Sequence, residues 1–278
     1  MRDPQPPRTN AGKSNRIFAG SHQRAWLWGR HAVLELLTAA RWPVLELFLA
    51  DSLPPDLVHQ LQRTAHTQQI PLRFVSASRL EQLCRQPDHQ GLAARLGEFP
   101  LESETELAAA VKQSVAATAK DRWPPLFVML DRLQDPWNFG AILRCCDAVR
   151  AAGIVIGSVS QSGVTPHVAR ASSGAVNHLR LFQVHSLLDS LAPFQQAGFQ
   201  IAAATEKSTQ RIWDANLSGP LLLIIGSEAT GVDPLLLQHS HVQAAIPMLG
   251  SVTSLNAAVA AGILLYECRR RSAEGNQP

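Results

Sequence analysis

The feature that most constrains the fold is a series of short apolar segments beyond residue 125. Each is four or five residues long and separated from the next by a turn or a helical pattern: 126–130, 153–156, 179–182, 199–203, 221–225 and 242–246. Continuous apolar runs of this length are typical of strands that are buried on both faces. They predict a mostly parallel, doubly wound α/β sheet with helices near 138–150, 186–197 and 254–270.

A second alternation of strands and helices lies between residues 25 and 98. It predicts a smaller α/β domain with helices at 29–37 and 55–68, strands at 44–50 and 71–75, and an edge strand near 89–96. Residues 99–122, where acidic residues precede an alanine-rich run, are expected to form a connecting helix or linker. We therefore divide the chain into a disordered basic tail (1–24), a small domain (25–98), a linker (99–122) and a sheet domain (123–278).

Composition excludes several classes of protein. The chain has 278 residues of which 46% are hydrophobic, so it is long enough for two globular domains. No apolar run approaches the roughly 20 residues of a membrane helix, and the N-terminus lacks the apolar stretch of a secretory signal. The four cysteines and ten histidines show no spacing typical of disulfides or metal ligands. We therefore expect a cytoplasmic protein with reduced thiols, without a metal and without membrane association.

The positive charge is concentrated in the tail. Residues 1–24 carry a net charge of +4, which leaves −1 for the rest of a chain whose total is +3. Total charge therefore does not establish nucleic-acid binding, although a locally basic face is compatible with a neutral body. The tail is either a solvated leader or an arm that binds RNA.

Three segments place polar side chains where a predicted strand is followed by a helix. They read DPWNFGAILR (135–144), GSEATG (226–231) and IPMLGSVTSLN (246–256). Taken singly, Asn138 and Ser254 could be helix N-caps, Glu228 could lie near a helix N-terminus, and Arg144 could pair with Asp147. Because the carboxyl ends of parallel strands meet at one edge of a sheet, the set together indicates a single site.

In this order the three segments resemble the hallmark motifs of the SpoU/TrmH family of RNA 2′-O-ribose methyltransferases, within the SPOUT superfamily. Residues 29–33 (GRHAV) and 89–91 (HQG) resemble marks of the family's small RNA substrate-binding domain, so the resemblance covers both domains. It is nearest to the two-domain 23S rRNA guanosine-2′-O-methyltransferase type. The resemblance implies a SPOUT-type α/β knot with a trefoil-knotted sheet domain, S-adenosyl-L-methionine as cofactor, RNA as partner and a homodimer.

The resemblance also implies roles for individual residues. Its polar catalytic set matches Asn138, Arg144, Glu228 and Asn256. Positions that hold the cofactor match Thr205, Gly226, Ile246, Met248, Ser254 and Leu255. Arg144 suits the RNA phosphate and electrostatic activation of the hydroxyl better than proton abstraction, because a guanidinium is a poor base. The division of roles among the four polar residues stays open.

Two positions depart from the family pattern, and they leave alternatives open. Ala229 stands where glycine is common after the glutamate, and Phe139 replaces a small aliphatic residue after Asn138. Trp137 could stack a substrate base or could simply pack. Transfer RNA is an alternative substrate, and a catalytically silent RNA-binding or ribosome-assembly factor is an alternative class. A dinucleotide-dependent oxidoreductase is disfavoured because the chain lacks the glycine fingerprint.

Overall fold

The computed structural model describes residues 26–117 and 123–274, with side chains to residue 272. The predicted basic tail at 1–24 lies outside the described residues. The described part comprises a four-stranded and a six-stranded sheet, each packed with helices. No helix within it is both long and apolar enough to cross a membrane.

The small domain is an α/β unit with a mixed sheet in the order β1-β4-β2-β3. Its elements are β1 (Trp26–Trp28), α1 (Arg30–Ala39), β2 (Val44–Ala50), α2 (Pro55–Thr67), β3 (Leu72–Val75), α3 (Ala77–Cys84) and β4 (Leu92–Leu96). β4 is antiparallel to β1 and β2, whereas β2 and β3 are parallel. The expectation that the 89–96 segment forms an edge strand is therefore wrong, since β1 pairs with its outer side.

Both faces of the small sheet are covered. Side chains alternate along β2, so Leu47 and Leu49 pack in the core with α1 and α2, while Phe48 packs on the opposite face beside Trp26 and α3. Helix α3 buries only two side chains, Leu80 and Cys84. A helix with so few buried residues leaves a weak periodic pattern, which is why the sequence did not predict it.

The large sheet is parallel throughout, with strand order β10-β8-β9-β5-β6-β7. Its strands are β5 (Leu126–Asp131), β6 (Gly153–Gly157), β7 (Leu181–Val184), β8 (Gln200–Ala204), β9 (Leu221–Gly226) and β10 (Val242–Ala244). The predicted parallel α/β sheet is confirmed. Strand β7 begins two residues later than the predicted 179–182 segment, because a short 3-10 helix (Ala175–Asn177) precedes it.

Helices cover both faces of this sheet. They are α4 (Glu104–Ala117), α5 (Pro136–Ala148), α6 (Pro166–Ala171), α7 (Ala192–Gln196), α8 (Pro234–Gln238) and α9 (Ala257–Glu274). Helices α5, α6 and α9 share a core with Val128 of β5, whereas α4, α7 and α8 share a second core with Phe127. Because α4 buries Leu107 and Val111 in that second core, the segment expected as a linker contributes a packed helix to the sheet domain.

The route of the chain after β10 brings distant segments together. Residues 245–256 lead from β10, at the edge of the sheet, to α9, which packs against α5 and β9. This return crosses the sheet at the ends of the strands that carry the candidate site. The trefoil knot implied by the resemblance stays a prediction.

Candidate active site

The candidate site lies at the carboxyl edge of the large sheet. Strands β5 and β9 are neighbours, and the last residue of each, Asp131 and Gly226, are paired in register. The loops that follow these two strands therefore begin side by side. They lead to Asn138 and Glu228.

Helix α5 is capped by a residue other than the one considered from sequence. Asp135 is the N-cap, because its Oδ1 accepts a hydrogen bond from Trp137 N at 2.8 Å, and Pro136 occupies the first helical turn. The interpretation of Asn138 as the cap is therefore wrong. Its side chain is available for contacts outside the helix.

Three side chains form a hydrogen-bonded chain, which we call the polar relay: Glu228, Asn138 and Asn256. Asn138 Nδ2 donates to Glu228 Oε1 at 2.6 Å, and Asn256 Nδ2 donates to Asn138 Oδ1 at 2.9 Å. Asn256 Oδ1 in turn accepts from the backbone N–H groups of Ala258, at 2.9 Å, and Val259, at 3.3 Å. Asn256 is thus the N-cap of α9, and the interpretation of Ser254 as that cap is wrong.

The orientation of the relay is set from both ends. The backbone N–H groups of α9 can only donate, so the amide oxygen of Asn256 must face them. An ionised Glu228 can only accept, so the amide nitrogen of Asn138 must face it. Within the part of the chain that the structure describes, no further hydrogen bond involves Asn138 Nδ2 or Glu228 Oε2, so both can contact a substrate.

The loop after β9 requires glycine where it leaves the strand. A Cβ on Gly226 would lie 2.1 Å from the backbone carbon of Gly231, so only glycine permits this approach. Gly231 N donates to Ser227 O at 2.9 Å, and the hydroxyls of Ser227 and Thr230 lie 3.0 Å apart. The loop is a closed turn that presents backbone groups at the sheet edge and carries Glu228 on its outer side.

Sequence reasoning missed an ion pair between the buried Asp131 and the half-buried Arg132, which supports this loop. The Asp131 side chain is buried, receives two hydrogen bonds from Arg132, at 2.8 and 3.0 Å, and accepts from Asp233 N at 2.7 Å. The hydrogen bond to Asp131 raises the pKa of the Arg132 guanidinium above its usual value. A charged residue at the end of an otherwise apolar strand is the signal that could have indicated this pair.

The residues expected to hold the cofactor follow neighbouring strands. Thr205 is buried directly after β8, and its backbone N–H donates to Ala244 O of β10 at 3.1 Å. Ile246 and Met248 are half-buried in the segment after β10, while Ser254 is exposed. Leu255 leaves 36% of its surface accessible beside the relay. Partly exposed apolar side chains next to strand-end backbone and a glycine turn fit a flat, partly apolar ligand.

Arg144 lies apart from the relay. It is exposed on α5, six residues beyond Asn138, and it has no hydrogen bond to the relay among the described contacts. Six residues correspond to about 600° of helical rotation, so the two side chains leave α5 in directions about 120° apart. The structure brings together three of the four residues in the predicted catalytic set.

We also searched for metal-binding groups and reactive cysteines near this edge of the sheet. Within residues 26–117 and 123–274, no group of three or more His, Cys, Asp and Glu side chains is placed to hold a metal ion. Burial raises the pKa of Cys145 on α5, and that of Cys268 on α9 to about 12, which disfavours their thiolates. The polar side chains that the structure brings together at this edge are those of the polar relay.

The two departures from the family pattern leave the relay intact. Phe139 is fully buried in the core beneath α5, where it packs and does not line the site. Ala229 is exposed in the turn after Glu228. Neither residue removes a polar group from the site.

Comparison with protein families gives two matches. Residues 125–266 match the SpoU rRNA methylase family, and residues 26–101 match the RNA 2′-O ribose methyltransferase substrate-binding domain. The first match contains Asn138, Arg144, Glu228 and Asn256. The second covers the four-stranded sheet.

Relatives and solved structures agree with both matches. The chain is 34% identical over 253 residues to the Bacillus subtilis protein "Putative TrmH family tRNA/rRNA methyltransferase YacO", covering 90% of this chain and 97% of that one. The SpoU methyltransferase AviRb from Streptomyces viridochromogenes, in complex with AdoMet, has a TM-score of 0.71 at 25% identity, covering 88% of this chain and 89% of AviRb.

The fold is also that of an AdoMet-bound rRNA methyltransferase from Sinorhizobium meliloti, with a TM-score of 0.75 at 24% identity and coverage of 88% and 87%. The motifs, the parallel sheet and the family matches lead to one assignment. The chain belongs to the SpoU rRNA methylase family of S-adenosylmethionine-dependent RNA methyltransferases.

Proposed function

We propose that this protein transfers the methyl group of S-adenosylmethionine to the 2′-hydroxyl of a ribose in structured RNA. The RNA is 23S-type ribosomal RNA and the nucleotide is guanosine. The polar relay is the observation that carries the proposal. It places the second Nδ2 proton of Asn138 and the Oε2 atom of Glu228 side by side at the edge of the sheet, where both can contact one substrate group.

The cofactor fits the residues at this edge. The backbone of Gly226, Ile246 and Leu255 would hold the adenine, whose edge offers one donor and several acceptors. Thr205 and Met248 would line the same site, and Ser254 would support it. Bound there, the cofactor supplies an electrophilic methyl group on a sulfonium. The absence of a Cβ at Gly226 lets the backbone of the turn close against the end of β9, beside this site.

The relay supplies what the hydroxyl needs. Transfer would form a bond between the 2′-oxygen and the methyl carbon, break the bond between that carbon and the sulfonium sulfur, and leave a neutral thioether. The hydroxyl proton must leave in the same step, and Glu228 Oε2 would accept it. Asn138 donates its second amide proton to a ribose oxygen and so fixes the direction of attack. Asn256 keeps Asn138 in that orientation through a 2.9 Å hydrogen bond.

Arg144 acts on the RNA backbone in this proposal. Its exposed guanidinium on α5 suits a phosphate next to the reacting ribose, which it would bind and neutralise. Its separation from the relay favours substrate positioning over proton transfer. Arg144→Lys would retain the positive charge but lose the planar guanidinium. It therefore separates neutralisation of the phosphate from two-point hydrogen bonding to it.

Two RNA classes are distinguished by one assay. The SpoU rRNA methylase match favours ribosomal RNA, whereas the name of the Bacillus subtilis relative includes tRNA as well. Purified protein and labelled S-adenosylmethionine would be incubated separately with deproteinised large-subunit RNA and with tRNA, both from a strain lacking the gene. Label in the large-subunit RNA is expected, and label confined to tRNA would support the second candidate.

We also propose a homodimer formed through α9. Val259, Ile263 and Tyr266 follow one face of this helix at helical spacing and are 52%, 37% and 59% exposed. The opposite face, with Leu264 and Leu265, is buried against the sheet. An apolar stripe of this kind, continuous with the start of α9 at the relay, suits the same stripe of a second copy.

A further inference from the structure

Trp137 is the most exposed aromatic residue beside the polar relay. Its side chain is 62% accessible, and it directly precedes Asn138 in α5. The Asp135 cap holds its backbone N–H at 2.8 Å, so the residue has a defined place at the helix start. The role proposed above leaves this large indole without a function.

An aromatic row extends from Trp137 into the joint between the domains. The Trp137 and His167 ring centroids lie 6.4 Å apart with planes at 56°, and His167 meets Trp28 edge-on at 5.7 Å. Trp28 belongs to β1 of the small domain and is only 3% exposed. The row is therefore buried at one end and open to solvent at Trp137.

The buried end of the row is fixed by charge. Trp28 Nε1 donates to Asp88 Oδ1 at 2.9 Å, and Arg170 Nη2 donates to Asp88 Oδ2 at 2.9 Å. The Arg170 guanidinium also lies 4.4 Å from the centre of the Trp28 ring. These contacts set His167 and, through it, Trp137 relative to the small domain.

We propose that Trp137 is a positioning residue that stacks a nucleobase within one nucleotide of the methylated ribose. Unpaired bases stack on exposed aromatic faces, and this face adjoins the residue that aims the ribose hydroxyl. Its support on His167 and Trp28 couples the stacked base to the small domain that matches the RNA-binding family. The inference rests on the proposed function for its choice of ligand.

The alternative to be excluded is that Trp137 only covers His167. Trp137→Leu keeps an apolar side chain but removes the π face, whereas Trp137→Phe retains one. Trp213→Leu is a matched control, because Trp213 is 43% exposed in a different segment, the 3-10 helix Ile212–Asp214. Thermal melting and calorimetric binding of S-adenosylmethionine report whether each variant keeps its fold and cofactor site.

The experiment measures affinity for deproteinised large-subunit RNA by filter binding at fixed salt, together with kcat and KM for methyl transfer. Trp137→Leu is expected to bind RNA roughly 5- to 150-fold more weakly, as removal of one base-stacking contact would cause. The loss should appear mainly in KM, with cofactor binding unchanged. Trp137→Phe should recover most of the affinity, and Trp213→Leu should resemble the wild type.

The inference is overturned if Trp137→Leu binds RNA as tightly as the wild type, or if the Trp137→Leu protein unfolds. It is also overturned if Trp137→Leu and Trp137→Phe lose RNA affinity to the same extent. RNA binding can be measured without methyl transfer, so the stacking role of Trp137 and the proposed methyltransferase function can be contradicted independently. Affinity that depends on Trp137 without any methyl transfer would contradict the proposed function alone. Methyl transfer that is indifferent to Trp137 would contradict the stacking role alone.

Discussion

Asn256 Nδ2 donates a hydrogen bond to Asn138 Oδ1 over 2.9 Å, although the two residues are 118 positions apart in the chain. Asn256 is also the N-cap of α9, so one side chain fixes both the start of that helix and the orientation of the Asn138 amide. The contact connects the segment after β10 to the helix after β5. The site therefore depends on the return of the chain across the sheet.

Asn138→Ala is expected to lower the rate of methyl transfer about 100- to 1,000-fold, because one positioned donor is removed at the reacting oxygen. Calorimetric binding of S-adenosylmethionine should change little. Asn216→Ala, in a surface turn where Asn216 Oδ1 accepts from Ser218, is the control and should retain activity. Near-wild-type transfer by Asn138→Ala would disprove the role assigned to the relay.

Gly226→Ala is expected to abolish binding of S-adenosylmethionine. The added Cβ would meet the Gly231 backbone at 2.1 Å and force open the turn that frames the cofactor site. Gly163→Ala is the control, because a Cβ there meets nothing within 4 Å. Calorimetry on both variants checks the prediction, and unchanged affinity in Gly226→Ala would place the cofactor elsewhere.

Asp88→Asn is expected to weaken the joint between the domains in a pH-dependent way. The hydrogen bond from Arg170, with that from Trp28, holds the pKa of Asp88 below its usual value. A carboxylate with a lowered pKa contributes stability above its unfolded pKa of about 3.9 and loses it as the pH falls through the folded value.

The melting temperature of Asp88→Asn should thus be a few degrees lower than that of the wild type at pH 7. The two should converge once the pH has fallen through the lowered folded-state pKa of Asp88, because both proteins then lack the charge. The effect is small because the side chain is 55% exposed. A pH-independent difference between Asp88→Asn and the wild type would contradict the prediction.

Tyr266→Glu combined with Ile263→Glu is expected to convert a dimer to a monomer. Two carboxylates on the apolar stripe of α9 would be buried without partners in the interface. Light scattering coupled to size-exclusion chromatography measures the mass directly. Leu235→Glu is the control, since Leu235 is 52% exposed on α8, away from this stripe. A wild-type monomer at micromolar concentration would contradict the dimer.

The sequence predicted those parts of the fold that depend on local pattern. Strand β2 has the expected bounds, because six of its seven residues are apolar and only Glu46 interrupts them. The position of β4 inside its sheet could not be predicted, since strand order depends on contacts between distant segments. The start of α5 at Pro136 could have been predicted, because Asp followed by Pro is a common helix start.

The candidate site was predictable as a set of residues but not as a geometry. The occurrence of all three sequence segments together indicated Asn138, Glu228 and Asn256. Only the folded chain shows which atom of each side chain faces which partner. The support that Asp131 gives to the Gly226 loop depends on a contact with Asp233, 102 residues away, that no local pattern encodes. Helical spacing alone, by contrast, indicates that Arg144 and Asn138 project in different directions.

The most direct test of the central claim is to locate the methyl group on the RNA. Deproteinised RNA from a strain lacking the gene would be incubated with S-adenosylmethionine and either the wild type or Glu228→Gln, then mapped by ribose-methylation-sensitive sequencing. One new 2′-O-methyl guanosine in large-subunit RNA, made by the wild type and strongly reduced in Glu228→Gln, is the predicted result. Methylation of a base, or equal ribose methylation by both proteins, would contradict the assignment of the polar relay as the catalytic site.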